Sequence, residues 1–216
     1  MFVSFEKNLI IGENSIIGNP PNDASTIGRE NIVRYYQSQI SPYFPVSIGK
    51  GVIIRDNVCI DFGINRKTTV NDNVYIHSQS SIHHDALIDR DSVIGPNACI
   101  CGNCTLLESV QVGAMCSIHQ NLTVGGYSML GMNAAIVNNI PPFVIAYGVP
   151  AKIKKLNTRK LGIFFSNNDI QKIFKEYIFI CQSGNIKDLE MFCSRSIPNF
   201  VKNQINQYIL KVKKNC

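Results

Sequence analysis

Aliphatic side chains recur at every sixth position through the middle of the chain. Stepping by six from Val70 to Ile136 meets twelve positions, and every one of them is Ile, Leu or Val. Two residues before each of these positions the side chain is usually small, as at Ser80, Ala86 and Cys104. A period of six matches neither the 3.6-residue turn of an α-helix nor the two-residue alternation of a simple strand. The pattern therefore predicts a repeat architecture.

A six-residue period is typical of a three-sided solenoid, the left-handed parallel β-helix. On each side the large aliphatic residue points inward, the small residue shares the interior, and Gly or Asn accommodates the corner. Glycine often follows the aliphatic residue, as at Gly95, Gly113 and Gly131. Three sides make one coil, so residues about 18 apart stack in adjacent coils. We predict a mainly β fold in which residues 1–150 form this β-helix, with a loop insertion near 19–46.

The pattern changes after Ile140. Pro141 and Pro142 cannot donate hydrogen bonds to a strand neighbour, so we expect the solenoid to end there. Residues 151–216 then predict a basic linker and a small C-terminal helical domain, with Ser166 or Asn167 as the first cap. The predicted helices span 166–181, 186–192 and 199–213, the first ended by Gly184 and the last opened by Pro198.

The net charge is unevenly distributed along the chain. The 216 residues carry a formal charge of +6, but residues 1–150 hold 8 basic and 11 acidic side chains and residues 151–216 hold 13 basic and 4 acidic. The C-terminal third is therefore predicted to meet an acidic partner. No basic face interleaved with aromatic residues is present, which argues against nucleic acid.

Composition predicts a globular cytoplasmic protein. The N-terminus lacks the unbroken apolar run of a signal peptide, and no apolar stretch is long enough to span a membrane. We therefore expect the eight cysteines to be reduced thiols. Cys99, Cys101 and Cys104 lack the paired spacing of a zinc ribbon, and the repeat phase is expected to scatter their side chains.

All four histidines fall one or two residues after inward positions, which places them near outer corners of the solenoid. The 18-residue rule stacks His83, Cys101 and His119 in one column, and His84, Gly102 and Gln120 in the next. A neutral imidazole whose tautomer is fixed by a carboxylate, here His84 beside Asp85, is a competent general base. Gly102 can offer a backbone N–H to a developing oxyanion. These are the groups that acyl transfer needs.

Two other interpretations stay open at this point. Some solenoids of this class are carbonic anhydrases that bind zinc through three histidines across a trimer interface, and His83 and His119 have a separation suitable for two of them. The position of the third ligand would be Val124, which cannot bind a metal. A non-catalytic solenoid used only for binding is the remaining alternative.

Several segments resemble one acyltransferase family. Residues 81–85 (SIHHD), 117–120 (SIHQ) and 140–148 (IPPFVIAYG) are similar to motifs of the UDP-N-acetylglucosamine acyltransferases that begin lipid A synthesis. Residues 17–18 followed by Asp23, and the C-terminal helices, resemble further parts of that family. Ser81 and Asn103 stand where the family usually has histidines.

The resemblance implies a role for individual residues. It makes His84 the general base, Asp85 its orienting partner and Gly102 the oxyanion donor. It implies substrate contacts for Asp23, Asn103, His119, Gln120, Asn157 and Arg159. Met132 falls where the family sets acyl-chain length, which favours a short or medium acyl group.

The resemblance also implies the substrates and the assembly. We expect direct transfer without a covalent intermediate, from an acyl carrier protein thioester to a hydroxyl or amine of a UDP-linked sugar. A coenzyme A thioester donor, as in a nucleotide-sugar N- or O-acetyltransferase, is the alternative. A homotrimer is expected because one prism has only shallow corners, and no permanently bound cofactor or metal is expected.

Overall fold

A computed structural model describes residues 3–5, 8–21 and 44–215. It confirms a left-handed parallel β-helix of about six coils with a small helical part after it. Most of the insertion predicted near 19–46 lies outside the described residues. Three parallel sheets form the sides of the prism, and the chain visits them in rotation.

Short strands build each side of the prism. Sheet A contains β1 Val3–Phe5, β4 Val46–Ile48, β7 Thr68–Val70, β10 Leu87–Ile88, β13 Thr105–Leu106 and β16 Thr123–Val124. Sheet B contains β2 Ile10–Ile11, β5 Ile53–Ile54, β8 Tyr75–Ile76, β11 Val93–Ile94, β14 Gln111–Val112, β17 Met129–Leu130, β19 Val144–Gly148 and β20 Ala151–Leu156. Sheet C contains β3 Ile16–Asn19, β6 Cys59–Asp61, β9 Ser81–Ile82, β12 Cys99–Ile100, β15 Ser117–Ile118 and β18 Ala135–Ile136.

The predicted inward positions form the core of the prism. The twelve aliphatic positions from Val70 to Ile136 are each no more than 4% exposed, and the small residues Ser80, Ala86 and Cys104 are no more than 1% exposed. The stacking distance of 18 residues is also confirmed from β7 to β18, as in the pair Leu87 and Thr105, whereas pairs that span the insertion before β7 are 22 residues apart, as in Cys59 and Ser81. Burial of this aliphatic column stabilises the prism by about 25 cal/mol per Å² of apolar surface removed from water.

Asparagine turns several of the corners, as predicted, but the glycines that follow the aliphatic positions do not. Residues with positive φ recur every six positions, and they are Asn73, Gln79, Asp85, Asp91, Asn97, Asn103, Ser109, Met115, Asn121, Tyr127 and Asn133. Gly95 and Gly113 are not among them. A Cβ on Gly95 would lie 2.7 Å from backbone atoms of Gly113 and Ala114 in the next coil. These glycines are therefore needed for close approach between coils, and not for turning the corner.

The two prolines do not end the strand pairing, contrary to the prediction. Ile140 forms a parallel bridge with Val124, and β19 continues sheet B by pairing with β17. The predicted basic linker begins as a strand, because β20 folds back antiparallel onto β19. It thereby covers the edge that sheet B would otherwise leave open.

Five helices follow within the described residues. They are α1 Thr158–Leu161, α2 Asn167–Phe174, α3 Tyr177–Ser183, α4 Ile186–Ser194 and α5 Asn199–Asn215. Ser166 caps α2 as predicted, and Gly184 ends α3 in the left-handed conformation at φ 69°. The single helix predicted over 166–181 is two helices, α2 and α3. No helix in the described ranges is both long and apolar enough to cross a membrane.

An aromatic cluster joins the helices to the end of the prism. Phe143 stacks on Tyr127 with ring centroids 5.7 Å apart, and Phe174 and Phe200 pack against it. The buried hydroxyl of Tyr177 donates to the carbonyl of Pro142 at 3.1 Å. The hydrophobic core is therefore continuous from the solenoid into the helical part.

Candidate active site

His84 and Asp85 form a hydrogen-bonded pair at the corner between sheets C and A. The Nδ1–H of His84 donates to Oδ2 of Asp85 at 2.9 Å, and the two side chains are 12% and 2% exposed. The repeat explains the conformation, because Asp85 occupies the positive-φ position of its corner (φ 61°). Asp tolerates this region better than most residues. The bond to Asp85 assigns the proton to Nδ1 and leaves Nε2 as the acceptor in the neutral ring.

A four-residue insertion between β6 and β7 holds the carboxylate of Asp85. The backbone N–H groups of Ile64, Asn65 and Arg66 all donate to Oδ1, at 3.0, 2.9 and 2.8 Å. The N–H of Asp85 itself donates to Oγ1 of Thr68 at 3.0 Å.

These contacts set the ionisation of Asp85. Burial alone would raise the pKa of Asp85, but the hydrogen bonds from His84, Arg66 and Asn65 outweigh it and lower the pKa below its ordinary value. The carboxylate is therefore both charged and fixed in position, and it orients the imidazole of His84.

Gly102 provides the surface on which the imidazole rests. A Cβ at this position would lie 3.0 Å from Cδ2 of His84, 2.5 Å from Cε1 and closer still to Nε2. The φ of Gly102 is not positive, so the glycine is required for space and not for backbone conformation. Among the hydrogen bonds of the described residues, none uses the Gly102 N–H. Nε2 of His84 and the backbone N–H of Gly102 therefore belong to neighbouring residues of adjacent coils.

The pair opens into a cleft of about 310 Å³. Its lining consists of Asn65, Arg66, His84, Asp85, Gly102, Asn103, Gln120 and Asn121. Five of the residues predicted to act in the site are therefore brought together, since His84, Asp85, Gly102, Asn103 and Gln120 all line it. The side chain of Asn103 donates to Oδ1 of Asn121 at 2.9 Å, across adjacent coils.

Other predicted substrate contacts lie elsewhere in this chain. His119 is exposed and its Nδ1 lies 3.2 Å from the carbonyl of Gln120. Asn157 is only 3% exposed, and its amide donates to the carbonyl of Tyr127 at 2.9 Å while its Oδ1 caps α1. Arg159 is exposed on α1. None of these residues lines the cleft, and Asp23 lies outside the described residues.

Met132 lies at a different corner of the prism. It follows β17 at the turn between sheets B and C and is 72% exposed. In a single chain it does not line the His84 cleft.

Sequence reasoning missed the contribution of the insertion. Arg66 donates from Nε to the carbonyl of Asp85 at 2.8 Å and lines the cleft, and Asn65 lines it as well. The Nη2 of Arg66 is buried and has no hydrogen-bond partner among the described residues. The available signal was the interruption of the six-residue phase between Ile60 and Val70, in the stretch that lies about one coil before the SIHHD segment.

The cysteines are free thiols wherever the structure describes them. The expectation that the repeat phase scatters Cys99, Cys101 and Cys104 is wrong for the first two, because residues two apart on a strand share a face and their Sγ atoms are 4.0 Å apart. Cys104 points into the core as predicted. Within the described ranges, no group of three or more His, Cys, Asp or Glu residues is arranged to hold a metal ion.

Comparisons with known proteins agree on one class of enzyme. No family model matches the chain. The chain is 31% identical over 205 residues to the acyl-[acyl-carrier-protein]–UDP-N-acetylglucosamine O-acyltransferase of Campylobacter lari, a match that covers 93% of the chain and 73% of that protein. The protein of the same name from Campylobacter concisus is 28% identical over 188 residues, with 82% and 67% covered.

A solved structure shares the fold. The crystal structure of a UDP-N-acetylglucosamine acyltransferase from Bacteroides fragilis has a TM-score of 0.76 and 26% identity, and the match covers 93% of this chain and 76% of that one. The chain spans 58 to 73% of the length of the curated relatives that carry this name.

Proposed function

The chain belongs to the acyltransferase family of the UDP-N-acetylglucosamine O-acyltransferases, and from that membership we propose that it moves an acyl group from a thioester donor to a hydroxyl or amine of a UDP-linked sugar. One observation carries the proposal. The imidazole of His84, oriented by Asp85, rests on Gly102 at the wall of a polar cleft.

The reaction proposed is a direct transfer. Nε2 of His84 accepts the proton of the sugar hydroxyl or amine while that group attacks the thioester carbonyl. The backbone N–H of Gly102 donates to the oxyanion of the tetrahedral intermediate. The intermediate collapses, the carbon–sulfur bond breaks, and the imidazolium returns its proton to the departing thiolate. No covalent bond to the protein forms in this mechanism.

The cleft has groups suited to a sugar nucleotide. Asn103 and Gln120 present amide groups that can hydrogen-bond to sugar hydroxyls. Arg66 brings a guanidinium whose Nη2 lacks a partner among the described residues, and an anionic oxygen of the diphosphate would satisfy it. Asp23 and His119 remain proposed substrate contacts from outside this cleft.

We also propose that the enzyme is a homotrimer. A cleft of about 310 Å³ is at the low end of the roughly 300–1,000 Å³ typical of ligand sites, and it must hold both a sugar nucleotide and an acyl chain. A neighbouring subunit would supply the missing wall, and it would also bring Met132, Asn157 or Arg159 of one chain near His84 of another. Light scattering of the purified protein measures the mass, and a monomer would contradict this part of the proposal.

In this arrangement residues 1–150 carry the chemistry and residues 151–216 bind the donor. Lys152, Lys154 and Lys155 are exposed on β20, and Lys211 and Lys213 lie near the end of α5. Such a basic surface suits an acidic carrier protein or a phosphorylated donor. The position of Met132 favours a short or medium acyl chain, so an acetyl thioester of coenzyme A is the second candidate donor.

An acyl-transfer assay tests the proposal. The purified chain is incubated with acyl carrier protein thioesters or coenzyme A thioesters of increasing chain length and with a panel of UDP-sugars. Free thiol release and the mass of the acylated sugar are measured together. We expect sugar-dependent thiol release with at least one pair of substrates. Thiol release without an acylated sugar, or none with any pair, would refute the proposed function.

Two histidine variants identify the base. His84→Ala should remove nearly all turnover, because a positioned general base contributes about 10²- to 10⁴-fold. His77→Ala is the matched control, since His77 lies at another corner where its ring packs at a tilt against Tyr75. Near-normal turnover in His84→Ala would exclude this assignment. Met132→Gly should extend activity to longer acyl donors, and an unchanged chain-length profile would exclude Met132 as the length determinant.

A further inference from the structure

A second polar cluster lies on the outer face of sheet C, beside the cleft but separate from it. Asp61 ends β6, His83 follows β9 and Cys99 begins β12, so three successive strands contribute one residue each. Nδ1 of His83 lies 3.2 Å from Oδ2 of Asp61, and Nε2 lies 3.6 Å from Sγ of Cys99. A carboxylate, an imidazole and a thiol therefore stand in line, the order in which protein thiols are activated.

The buried carboxylate fixes the charge of the imidazole. Asp61 is 2% exposed, and its Oδ2 accepts no hydrogen bond of good geometry from the described residues. A buried carboxylate oxygen without a hydrogen-bond partner favours a charged donor beside it, and the imidazole of His83 lies in that position. Contacts with Asp61 and then Cys99 raise the pKa of His83 from 6.5 to about 10, which makes it an imidazolium at neutral pH.

The imidazolium in turn favours the thiolate of Cys99. Hydrogen bonds from the Cys101 thiol and from His83 lower the pKa of Cys99 well below its ordinary value of 9.0. The Cys101 thiol stays protonated, since its bond to Cys99 and its burial raise its own pKa. Ser117 of the next coil pairs with Cys99 on the other side.

Cys59 provides a comparison within the same sheet. It is half-buried like Cys99 and stands in the same column two strands away, 3.8 Å from Oδ1 of Asp61. Burial and the adjacent carboxylate raise the pKa of Cys59 to about 11. The two thiols differ in their nearest polar neighbours, because Cys59 faces the Asp61 carboxylate whereas Cys99 faces the Cys101 thiol and the imidazole of His83.

We propose that Cys99 is a nucleophilic thiolate that opens small-molecule disulfides, with Cys101 as the resolving thiol. The thiolate attacks one sulfur of the disulfide, a mixed disulfide forms, and one thiolate leaves. Cys101 then attacks the Cys99 sulfur, its proton leaves with the second thiol, and a Cys99–Cys101 disulfide results. The chain loses two electrons and the small disulfide gains two. This chemistry is independent of acyl transfer.

Reaction with dithiodipyridine, whose released thiopyridone absorbs light, tests the proposal on the full chain. At about pH 6 the larger thiolate fraction of Cys99 outweighs its lower intrinsic nucleophilicity, so it should react on the order of 10- to 100-fold faster than Cys59. Its rate should change little between about pH 5 and pH 8, while the rate of Cys59 rises steeply. Peptide mass spectrometry assigns each site.

Variants separate the two parts of the proposal. His83→Gln should shift the pH dependence of Cys99 upward, toward that of an ordinary thiol, while the Cys101 contact remains. Asp61→Asn should shift it in the same direction and replaces His83→Gln if that variant does not fold. His119→Gln is the matched control, because His119 lies in the same column beyond Cys101 and its ring nitrogen contacts Gln120. Wild-type protein should release two thiopyridones and lose two hydrogens, whereas Cys101→Ser should retain the mixed disulfide.

Three outcomes would contradict the proposal, and each concerns either the activation of Cys99 or the role of Cys101. Reaction of Cys99 only in the alkaline range, together with Cys59, would overturn its activation by His83. An unchanged pH profile in His83→Gln would do the same. A mixed disulfide that persists in the wild-type chain would overturn the resolving role of Cys101.

Discussion

Gly102→Ala is the most informative change at the candidate active site. The added Cβ would lie 2.5 Å from Cε1 of His84 and closer still to Nε2, whereas carbon atoms pack at about 3.5 to 4 Å. The imidazole must therefore move by about 1 Å. It cannot do so freely, because Nδ1 is bonded to Asp85, and Asp85 is held by three backbone N–H groups.

Two magnitudes follow from this displacement. A misplacement of about 1 Å costs on the order of 10²-fold in turnover. Breaking the His84–Asp85 bond costs about 1.5 to 3 kcal/mol of unfolding free energy, as for other hydrogen bonds to charged groups. The solenoid itself should stay folded, since the φ of Gly102 suits alanine.

A double-mutant cycle measures the contact directly. Denaturant unfolding is compared for wild type, Gly102→Ala, His84→Ala and the double variant. In the His84→Ala background the added methyl group has no ring to displace, so its cost should largely disappear. If Gly102→Ala destabilises both backgrounds equally, or leaves turnover unchanged, then the imidazole does not rest on Gly102.

Three further predictions follow from single contacts. The lowered pKa of Asp85 stabilises the fold above the ordinary pKa of 3.8, and this stability is lost as pH falls through the lower folded value. Asp85→Asn should therefore have a lower free energy of unfolding at neutral pH, and that free energy should depend less on pH in acid. Equal acid slopes for the two proteins in denaturant unfolding would contradict this. Tyr177→Phe leaves the Pro142 carbonyl without its buried donor and should cost about 1 to 2 kcal/mol by thermal unfolding, while an unchanged midpoint would show that the bond contributes nothing. Raising salt should increase the KM for a carrier-protein donor, because residues 151–216 hold 13 basic side chains, and a salt-independent KM would exclude electrostatic docking.

The sequence predicts the solenoid well because one physical rule acts at every coil. A side chain either fits the apolar interior or faces solvent, so a six-residue period identifies the inward positions before any contact is known. The helices follow from caps such as Ser166 and Gly184. The strand β20 could not be predicted in this way, because Lys152, Lys154 and Lys155 give its sequence the composition of a polar connection. Its conformation depends on the open edge of β19, which is a tertiary feature.

The cluster of Asp61, His83 and Cys99 could not be predicted from the sequence for a related reason. Cys101 stands 18 residues after His83, as the repeat requires, but Asp61 stands 22 residues before it. The four extra residues form the insertion that binds Asp85. Counting back by 18 from His83 therefore meets Asn65 and hides the carboxylate that the imidazole contacts.

The adjacent histidines at this corner serve two separate sites. His83 is the last residue on the face of sheet C and reaches Asp61 and Cys99, whereas His84 lies on the turn and reaches Asp85 and Gly102. Because each imidazole has its own carboxylate, drawn from a different coil, their chemistry should be separable. His84→Ala should lose acyl transfer and keep the fast thiol of Cys99, and His83→Gln should show the reverse. Joint loss of both activities in either folded variant would mean that the corner works as one site.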